Sequence, residues 1–563
     1  KNNLNITGTF TNDGDSEINI SQGAVSLGNI TNNKSLSITT NAKNGQKSII
    51  RGDIINKQGN LNITDNNSNA EIEIGGNISQ KEGNLTISSD KINITKRIEI
   101  KAGTDQGNSD SGVASNANLT IKTKELKLTQ DLNISGFNKA EIVAKNGSDL
   151  TIGNGSDSDS GSANAKKVTF NNVKDSKISA DSHKVTLHSE VKTLGDSDSG
   201  IEGGGNNNTG LTITAKDVAV NNNITSHKAV NITASAGDVT TGAGTTINAT
   251  TGNVEITAKT GEIKGNIEAT KGAATVTASD GNLNVANITS KTATLTATSG
   301  KLTTQESSAI NATDSVTTSS QSGDISGTIS GNTVSVSATK DLTTKASSSI
   351  TSAKGQVDLS ARDGNIGGSI NAANVTLNTT GTLTTETGSD IKATSGALVI
   401  NAKDAKLDGE ASGNSTVVNA TNASGSGSVT AKTSSSVNIT GDLNTINGLN
   451  IISENGRNTV RLRGKEIDVK YIQPGVASVE EVIEAKRVLE KVKDLSDEER
   501  ETLAKLGVSA VRFVEPNNAI TVNTQNEFTT RPSSQVTISE GKACFSSGNG
   551  AAVCTNVADD GQP

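Results

Sequence analysis

From Gly237 onward, apolar residues recur at every second position in short runs, and the runs themselves recur every 17 to 24 residues. The piece "GDVTTGAGTTINATTGNVEITAKT" is followed by "GEIKGNIEATKGAATVTASD", "GNLNVANITSKTATLTATS" and "GKLTTQESSAINATDSVTTSSQS". In the first piece the apolar positions are Val239, then Ile247 and Ala249, then Val254, Ile256 and Ala258. Alternation at period 2 means a strand with one face buried, and a period in the low twenties means a solenoid. Three short strands per roughly 21 residues predict one coil of a right-handed parallel β-helix. The inward residues are Ile, Val, Leu and Ala, which suits an interior one side chain deep, while Gly and Asn at the corners supply left-handed backbone.

Residues 1–236 keep the same vocabulary ("NLNIT", "EINIS", "NLTIS", "KINIT") but are interrupted by three acidic serine-rich stretches. These are "GNSDSG" at 107–112, "GSDSDSGS" at 155–162 and "GDSDSG" at 195–200. Each is followed by a strand-like run, so they read as loops extruded from the coils. Their carboxylates could in principle hold calcium, but the spacing matches neither an EF-hand nor the Gly-Gly-x-Gly-x-Asp nonapeptide, and a solvated loop is the simpler reading. About 450 residues at about 21 per coil predict some 21 coils, and stacking at roughly 4.8 Å makes a rod on the order of 100 Å long.

The pattern changes after residue 456. "SVEEVIEAKRVLEKVKDLSDEERETLAKLG" is the one helical stretch. Ser478 with Glu481, and Ser496 with Glu499, fit capping boxes. Val479, Val482, Ile483, Leu489 and Val492 form an apolar stripe at helical spacing, and Gly507 can end the second helix. An αα-hairpin over about 478–507 follows. "VSAVRF", "AITVNT" and "SQVTIS" then read as strands, and "CFSSGNGAAVC" at 544–554 reads as a hairpin. The expected division is 1–236 (coils with extruded loops), 237–456 (regular coils), 457–514 (an end-cap) and 515–563 (a carboxy-terminal anchor). The fold class is all-β, with a small α+β region at the carboxy terminus.

Composition sharpens this picture. All four prolines, both cysteines, the one tyrosine and seven of the ten arginines lie beyond residue 456, which marks the same boundary. Apolar residues are 31% and aromatics 1% of the chain, so no wide core of large side chains is available. The net charge of -8 is spread over interspersed signs, with no basic stripe and no aromatic interleaving, which argues against a nucleic-acid partner. No run approaches the length of a membrane-spanning helix. The chain starts at Lys1 with no signal peptide, and reads as a processed or truncated portion of something longer.

No catalytic constellation is evident. Glycan-cleaving β-helices need clustered carboxylates and aromatics that stack sugars, and the repetitive region offers only Arg51, Arg97 and Arg362 and almost no aromatics. His183 and His188 are five apart, which puts them on opposite faces of a strand, and His227 stands alone. All three read as surface histidines. No metal-ligand spacing, phosphate loop or nucleophile triad appears, so the expectation is a protein that is not an enzyme and needs no cofactor or metal.

The commonest motif is Asn-x-Ser/Thr, an acceptor for N-linked sugar. It occurs at Asn5, Asn19, Asn29, Asn33, Asn62, Asn66, Asn77, Asn84 and Asn93. It recurs at Asn118, Asn133, Asn146, Asn154, Asn207, Asn223, Asn231 and Asn248. The remaining sites are Asn287, Asn311, Asn374, Asn378, Asn414, Asn419, Asn422 and Asn438, and none follows in the last 125 residues. Residues i and i+2 share a strand face, so outward positions rich in Asn, Ser and Thr would create such triplets without any selection. Both readings stand at this level. Cys544 and Cys554 are the only cysteines. In a chain read as non-cytosolic, two with none left over predict one disulfide. It closes an 11-residue loop worth roughly 2–3 kcal/mol.

Taken together, the Asn-Ile-Thr-rich β-helix, the acidic inserts, the helical end region and "CFSSGNGAAVC" resemble the carboxy-terminal part of the high-molecular-weight (HMW) adhesins of Haemophilus. These belong to the two-partner secretion family, related to filamentous haemagglutinin. The resemblance implies a secreted adhesin stalk on the bacterial surface that mediates attachment to host epithelial cells through a host-cell surface receptor, a glycan being one candidate. It implies export through an outer-membrane β-barrel translocator, with the carboxy terminus periplasmic and the Cys544–Cys554 pair implicated in holding the adhesin there. It also implies a cytoplasmic glycosyltransferase that adds hexoses to sequon asparagines before export. The rivals are a carrier rod for a contact-dependent toxin or haemolysin of the same secretion family, and a β-helical glycan hydrolase. The last 100 residues hold no histidine and no evident nucleophile, which argues against a toxin domain.

Overall fold

In the computed structural model, the register of the strands makes the chain a stack of coils. The described residues are 3–43, 45–103, 116–155, 166–195, 210–443, 449–454, 458–471 and 475–513, with the strands Ser534–Ser539, Lys542–Ser547 and Val553–Asn556. Through the first coils each strand pairs in parallel with the strand three further along, and in later coils, where one strand such as Thr260–Ala278 turns the corners unbroken, it pairs in parallel with the next long strand. On the first face Leu4–Ile6 pairs with Val25–Leu27, which pairs with Lys47–Ile50. On the second, Phe10–Asn12 pairs with Ile30–Asn32 and that with Ile54–Asn56. On the third, Ser16–Ile20 pairs with Leu36–Thr40 and that with Leu61–Asp65. The result is an all-β parallel solenoid of about 19 turns, and among the described residues helix is confined to about 4%.

Alternating residues point inward on every face. Val239, Ile247, Ala249, Val254, Ile256 and Ala258, assigned inward from period 2, are each at most 2% exposed. On the third face one inward column runs without a break from Ile18 through Ile38, Ile63 and Ile87 to Val437 and Val460. Same-residue stacking of this kind buries each rung between two others, and each fully buried Ile or Val contributes about 1.5–3 kcal/mol.

There are about 19 coils rather than 21 because their length is not uniform. Most steps of the third-face column take 18 to 25 residues, but Ile87 to Ile121, Ile142 to Ile178 and Ile178 to Ile213 take 34, 36 and 35. Each long step contains one of the three acidic stretches, most of which lie outside the described residues. In every case the chain re-enters the column at the expected rung.

The later coils alternate in length. Between Thr318 and Ile400 the third-face steps are 18, 23, 18 and 23 residues. The first face alternates in step. Its inward pair is Leu342 and Thr344 on one coil, Gly364 and Ile366 on the next, then Leu383 and Thr385. A Cβ on Gly364 would lie 3.2 Å from Cδ1 of Leu383, and one on Gly323 would lie 2.8 Å from Cδ1 of Leu342. Each leucine therefore occupies the space that its glycine neighbour leaves open. The inward threonines close the corner. The Thr344 hydroxyl donates to the Gly367 carbonyl at 2.7 Å, and Thr385 Oγ1 accepts from the Gly409 N–H at 3.1 Å.

Polar ladders also run inside the rod. Asn12 Nδ2 donates to Asn32 Oδ1 at 2.6 Å, Asn32 bonds Asn56 in turn, and Gln80 is the next rung. These side chains are at most 4% exposed, and their amides also bond the carbonyls of the adjoining corner. At the opposite corner Lys145, 8% exposed, reaches back over earlier coils: Nζ donates to the Asp65 carbonyl at 3.0 Å and pairs with Asp90 Oδ1 at 3.2 Å. Burial pushes the Asp90 carboxyl up, but the Asn69 N–H, Lys124 and Lys145 more than offset this and hold it below the ordinary carboxylate value.

Parallel stacking ends at Asn458–Leu462. The next strand, Lys465–Val469, runs antiparallel to it, and Val508–Phe513 runs antiparallel to that. Arg463 (φ 46°) and Gly464 (φ 77°) make the reversal, the pair of positive φ values that a two-residue type I′ hairpin requires. Between the last two strands lie α1 (Val479–Leu489) and α2 (Asp497–Lys505), each opened by a capping box, Ser478 with Glu481 and Ser496 with Glu499. The helical stripe expected from sequence is only half used. Leu489 and Val492 are buried, whereas Val479 and Ile483 are 75% and 63% exposed. The hairpin docks instead through Ala485, Leu489, Leu503, Ala504 and Leu506, and through Arg463, whose guanidinium bonds both Glu499 oxygens and the Gly441 carbonyl.

Candidate functional site

An interior this narrow leaves the outer surface of the coils as the place where chemistry can act, and the sequon asparagines are its most repeated feature. Each strand presents its odd or even residues outward. "NIT" within a strand such as Leu61–Asp65 therefore puts Asn62 and Thr64 outside and Ile63 inside. None of the described sequon asparagines is buried. Eleven are exposed: Asn5, Asn19, Asn29, Asn66, Asn77, Asn84, Asn146, Asn287, Asn311, Asn374 and Asn378. The others are half-buried, apart from Asn207, which lies outside the described residues. The buried asparagines are a separate set, Asn12, Asn32, Asn56, Asn222 and Asn458, and none of these starts a sequon.

The sequon amides do two kinds of structural work that their spacing did not disclose. Asn29, Asn77, Asn223, Asn287, Asn374 and Asn422 each offer an Oδ1 that accepts a backbone N–H of the next coil, in most cases at the start of a strand, at 2.8–3.0 Å. Asp53, Asp217 and Asp363 do the same at 2.8 Å. The signal that could have found them is an Asn or Asp directly before a strand, the same chemistry that caps helices and turns. Elsewhere the amides form ladders along an outward column. Asn438 Nδ2 donates to Asn419 Oδ1 at 2.6 Å, Asn419 to Asn401 at 2.7 Å, and Arg461 closes the column on Asn438 Oδ1 at 3.1 Å.

This divides the acceptor atoms chemically. At Asn33, Asn93, Asn118, Asn154, Asn287, Asn419, Asn422 and Asn438 the Nδ2 that a sugar would occupy already donates to a neighbouring residue. At Asn311, Asn374 and Asn378 the side chain is exposed and Nδ2 makes no such bond among the described residues. A folded rod thus offers two grades of acceptor, and an unfolded chain offers one.

The histidines do not come together as a site. His183 and His188 flank the strand Lys184–Leu187 rather than lying in it, and both are half-buried rather than on the surface. His188 Nδ1 is enclosed without a hydrogen-bond partner. His227 is half-buried on the following coil.

At the carboxy terminus, Ser534–Ser539, Lys542–Ser547 and Val553–Asn556 form a separate antiparallel sheet. Its register sets Cys544 directly opposite Cys554. Among the described residues the expected disulfide itself is not seen, so what the backbone supplies is this pairing alone. The turn between the strands and the stretch 519–524, read from sequence as a strand, lie outside the described residues. Among the described residues no helix is long and apolar enough to cross a membrane, and no group of three or more His, Cys, Asp or Glu is placed to hold a metal ion. No family model matches this chain, and neither a curated protein nor a solved structure matches it.

Proposed function

We propose that this chain is the β-helical stalk of a secreted adhesin, exported by two-partner secretion and held on the bacterial outer membrane through its carboxy terminus. The observation that carries this reading is a rod of about 19 coils whose described sequon asparagines are all at or near the surface. Such a rod has the form of a spacer, and hexoses on those asparagines would coat it. The proposed partners are a β-barrel translocator, a glycosyltransferase acting in the cytoplasm before export, and a receptor on host epithelial cells. The stalk itself has no catalytic part in this scheme.

The direct test is adherence. Bacteria displaying the chain with its translocator should bind epithelial monolayers several-fold better than cells lacking it, and equal binding would remove the adhesin reading. Anchoring is tested by changing Cys544→Ser and Cys554→Ser together. Release of folded protein into the medium is expected, because a closed 11-residue loop is wider than a single threading strand. Retention equal to the parent would leave the loop as a local staple only. Glycopeptide analysis reports the order of events. If sugar is added before folding, Asn419 and Asn438 should carry hexose as often as Asn311 and Asn374. Occupancy restricted to the exposed set would place the transfer after folding instead.

A further inference from the structure

Two open β edges lie on this one chain. Val508–Phe513 pairs with Lys465–Val469 and, among the described residues, with no other strand. Ser534–Ser539 is an outer strand of the terminal sheet and, among the described residues, pairs only with Lys542–Ser547. An unpaired edge presents a row of N–H and C=O groups that templates a further strand.

The side chains at the first edge point the same way. The third-face apolar column continues through the antiparallel cap, from Val460 to Ile467 and then Val511. Val460 and Ile467 are 0% exposed, but Val511, the outermost rung, is half-buried. The column lacks its next member. In "SQVTIS" Val536 and Ile538 stand two apart, so a strand places both on one face.

The tether permits the contact. The 20 residues 514–533 join the two edges, and a chain of that length reaches at most about 70 Å. Joined edges meet at an effective concentration on the order of millimolar for short connections, which favours this partner over a second copy at ordinary protein concentrations.

We infer that Ser534–Ser539 adds as the next strand to the open edge of Val508–Phe513, with Val536 or Ile538 supplying the rung beyond Val511. The terminal cysteine hairpin is then part of one hydrogen-bonded sheet with the rod rather than a body on a string. This goes beyond the adhesin reading and does not depend on it.

Two measurements on the full chain test the contact. In the first, hydrogen exchange is followed by mass spectrometry at residues 508–513. The parent should exchange at least tenfold more slowly there than the variant Val536→Lys with Ile538→Lys, while the coils keep their protection. Equal, fast exchange in both would overturn the proposal. In the second, a photo-reactive benzoylphenylalanine replaces Arg512, which is exposed and outside the apolar column. Irradiation should join residue 512 to the peptide containing Ser534–Ser539 within a single molecule. Cross-links to another copy, or to no part of 534–539, would show that a second chain or solvent holds the edge.

Discussion

Thr318 is the one polar rung in the third-face column between Ile18 and Val460. It is 0% exposed, and its Oγ1 has no hydrogen-bond partner. A buried hydroxyl left unpaired costs about 1–3 kcal/mol. Thr318→Val should therefore stabilise the coils around it by about 1 kcal/mol, read as slower exchange of amides 316–320. A loss of protection would show that the hydroxyl has a partner. Lys145 is the opposite case. Lys145→Met would leave Asp90 with Lys124 and the Asn69 N–H, so the loss should fall below the roughly 3–5 kcal/mol of a buried pair broken from one side. The pH sense follows from Asp90, whose folded value lies below its unfolded one. Its contribution is present above the unfolded value and disappears as the pH falls through the folded value, so acid should loosen this corner first. Loosening at alkaline rather than acid pH would contradict that assignment. Neither residue was legible in the sequence. Period 2 identifies inward positions such as Val239 and Ile256, because it depends on neighbours along the strand. Lys145 meets Asp65 only after coils of unequal length have been stacked, and nothing local encodes that distance.

At the scale of elements, the unit is a pair of coils. Residues 323–363 and 364–404 are each 41 long and align as "GDI…DLTT…" and "GNI…TLTT…". The signal was present, since Gly-x-Ile and Leu-x-Thr alternate, but averaging the coils to about 21 residues conceals it. The packing makes different predictions for neighbouring glycines. A Cβ on Gly364 is 3.1–3.2 Å from two methyl groups beside a small void lined by Leu342, Leu359 and Leu383. Gly364→Ala should thus stay within about 1 kcal/mol of the parent, helped by a less flexible unfolded chain. Gly368 has φ +70° and its Cβ would fall 2.3 Å from the Ser348 carbonyl oxygen. Gly368→Ala should destabilise by roughly 1–3 kcal/mol. Thermal melts of the two variants that coincide would refute this account of the corner. The capping boxes of the two helices were readable because they are local. The exposure of Val479 and Ile483 was not, because which face of a helix docks is decided by the strands beneath it.

For the whole molecule, about 19 coils at roughly 4.8 Å give a shaft of roughly 90 Å. Small-angle scattering should show a maximum dimension of at least that size, against about 65 Å for a globule of this length. A symmetric distance distribution ending near the smaller value would exclude the rod. The three long steps show that inserted sequence leaves the column intact, so the shaft's length is set by the count of coils and not of residues. The unequal coils have a mechanical consequence. Every inter-coil hydrogen bond lies along the shaft, so a pull on its two ends loads the coils in series and peels them one at a time. Each released coil adds its extended contour, at about 3.4 Å per residue. Over residues 323–404 a force trace should lengthen in alternating increments of roughly 60 and 80 Å. A stalk built this way would yield to a sudden load by paying out slack in metered amounts, and would take it up again when the load passed.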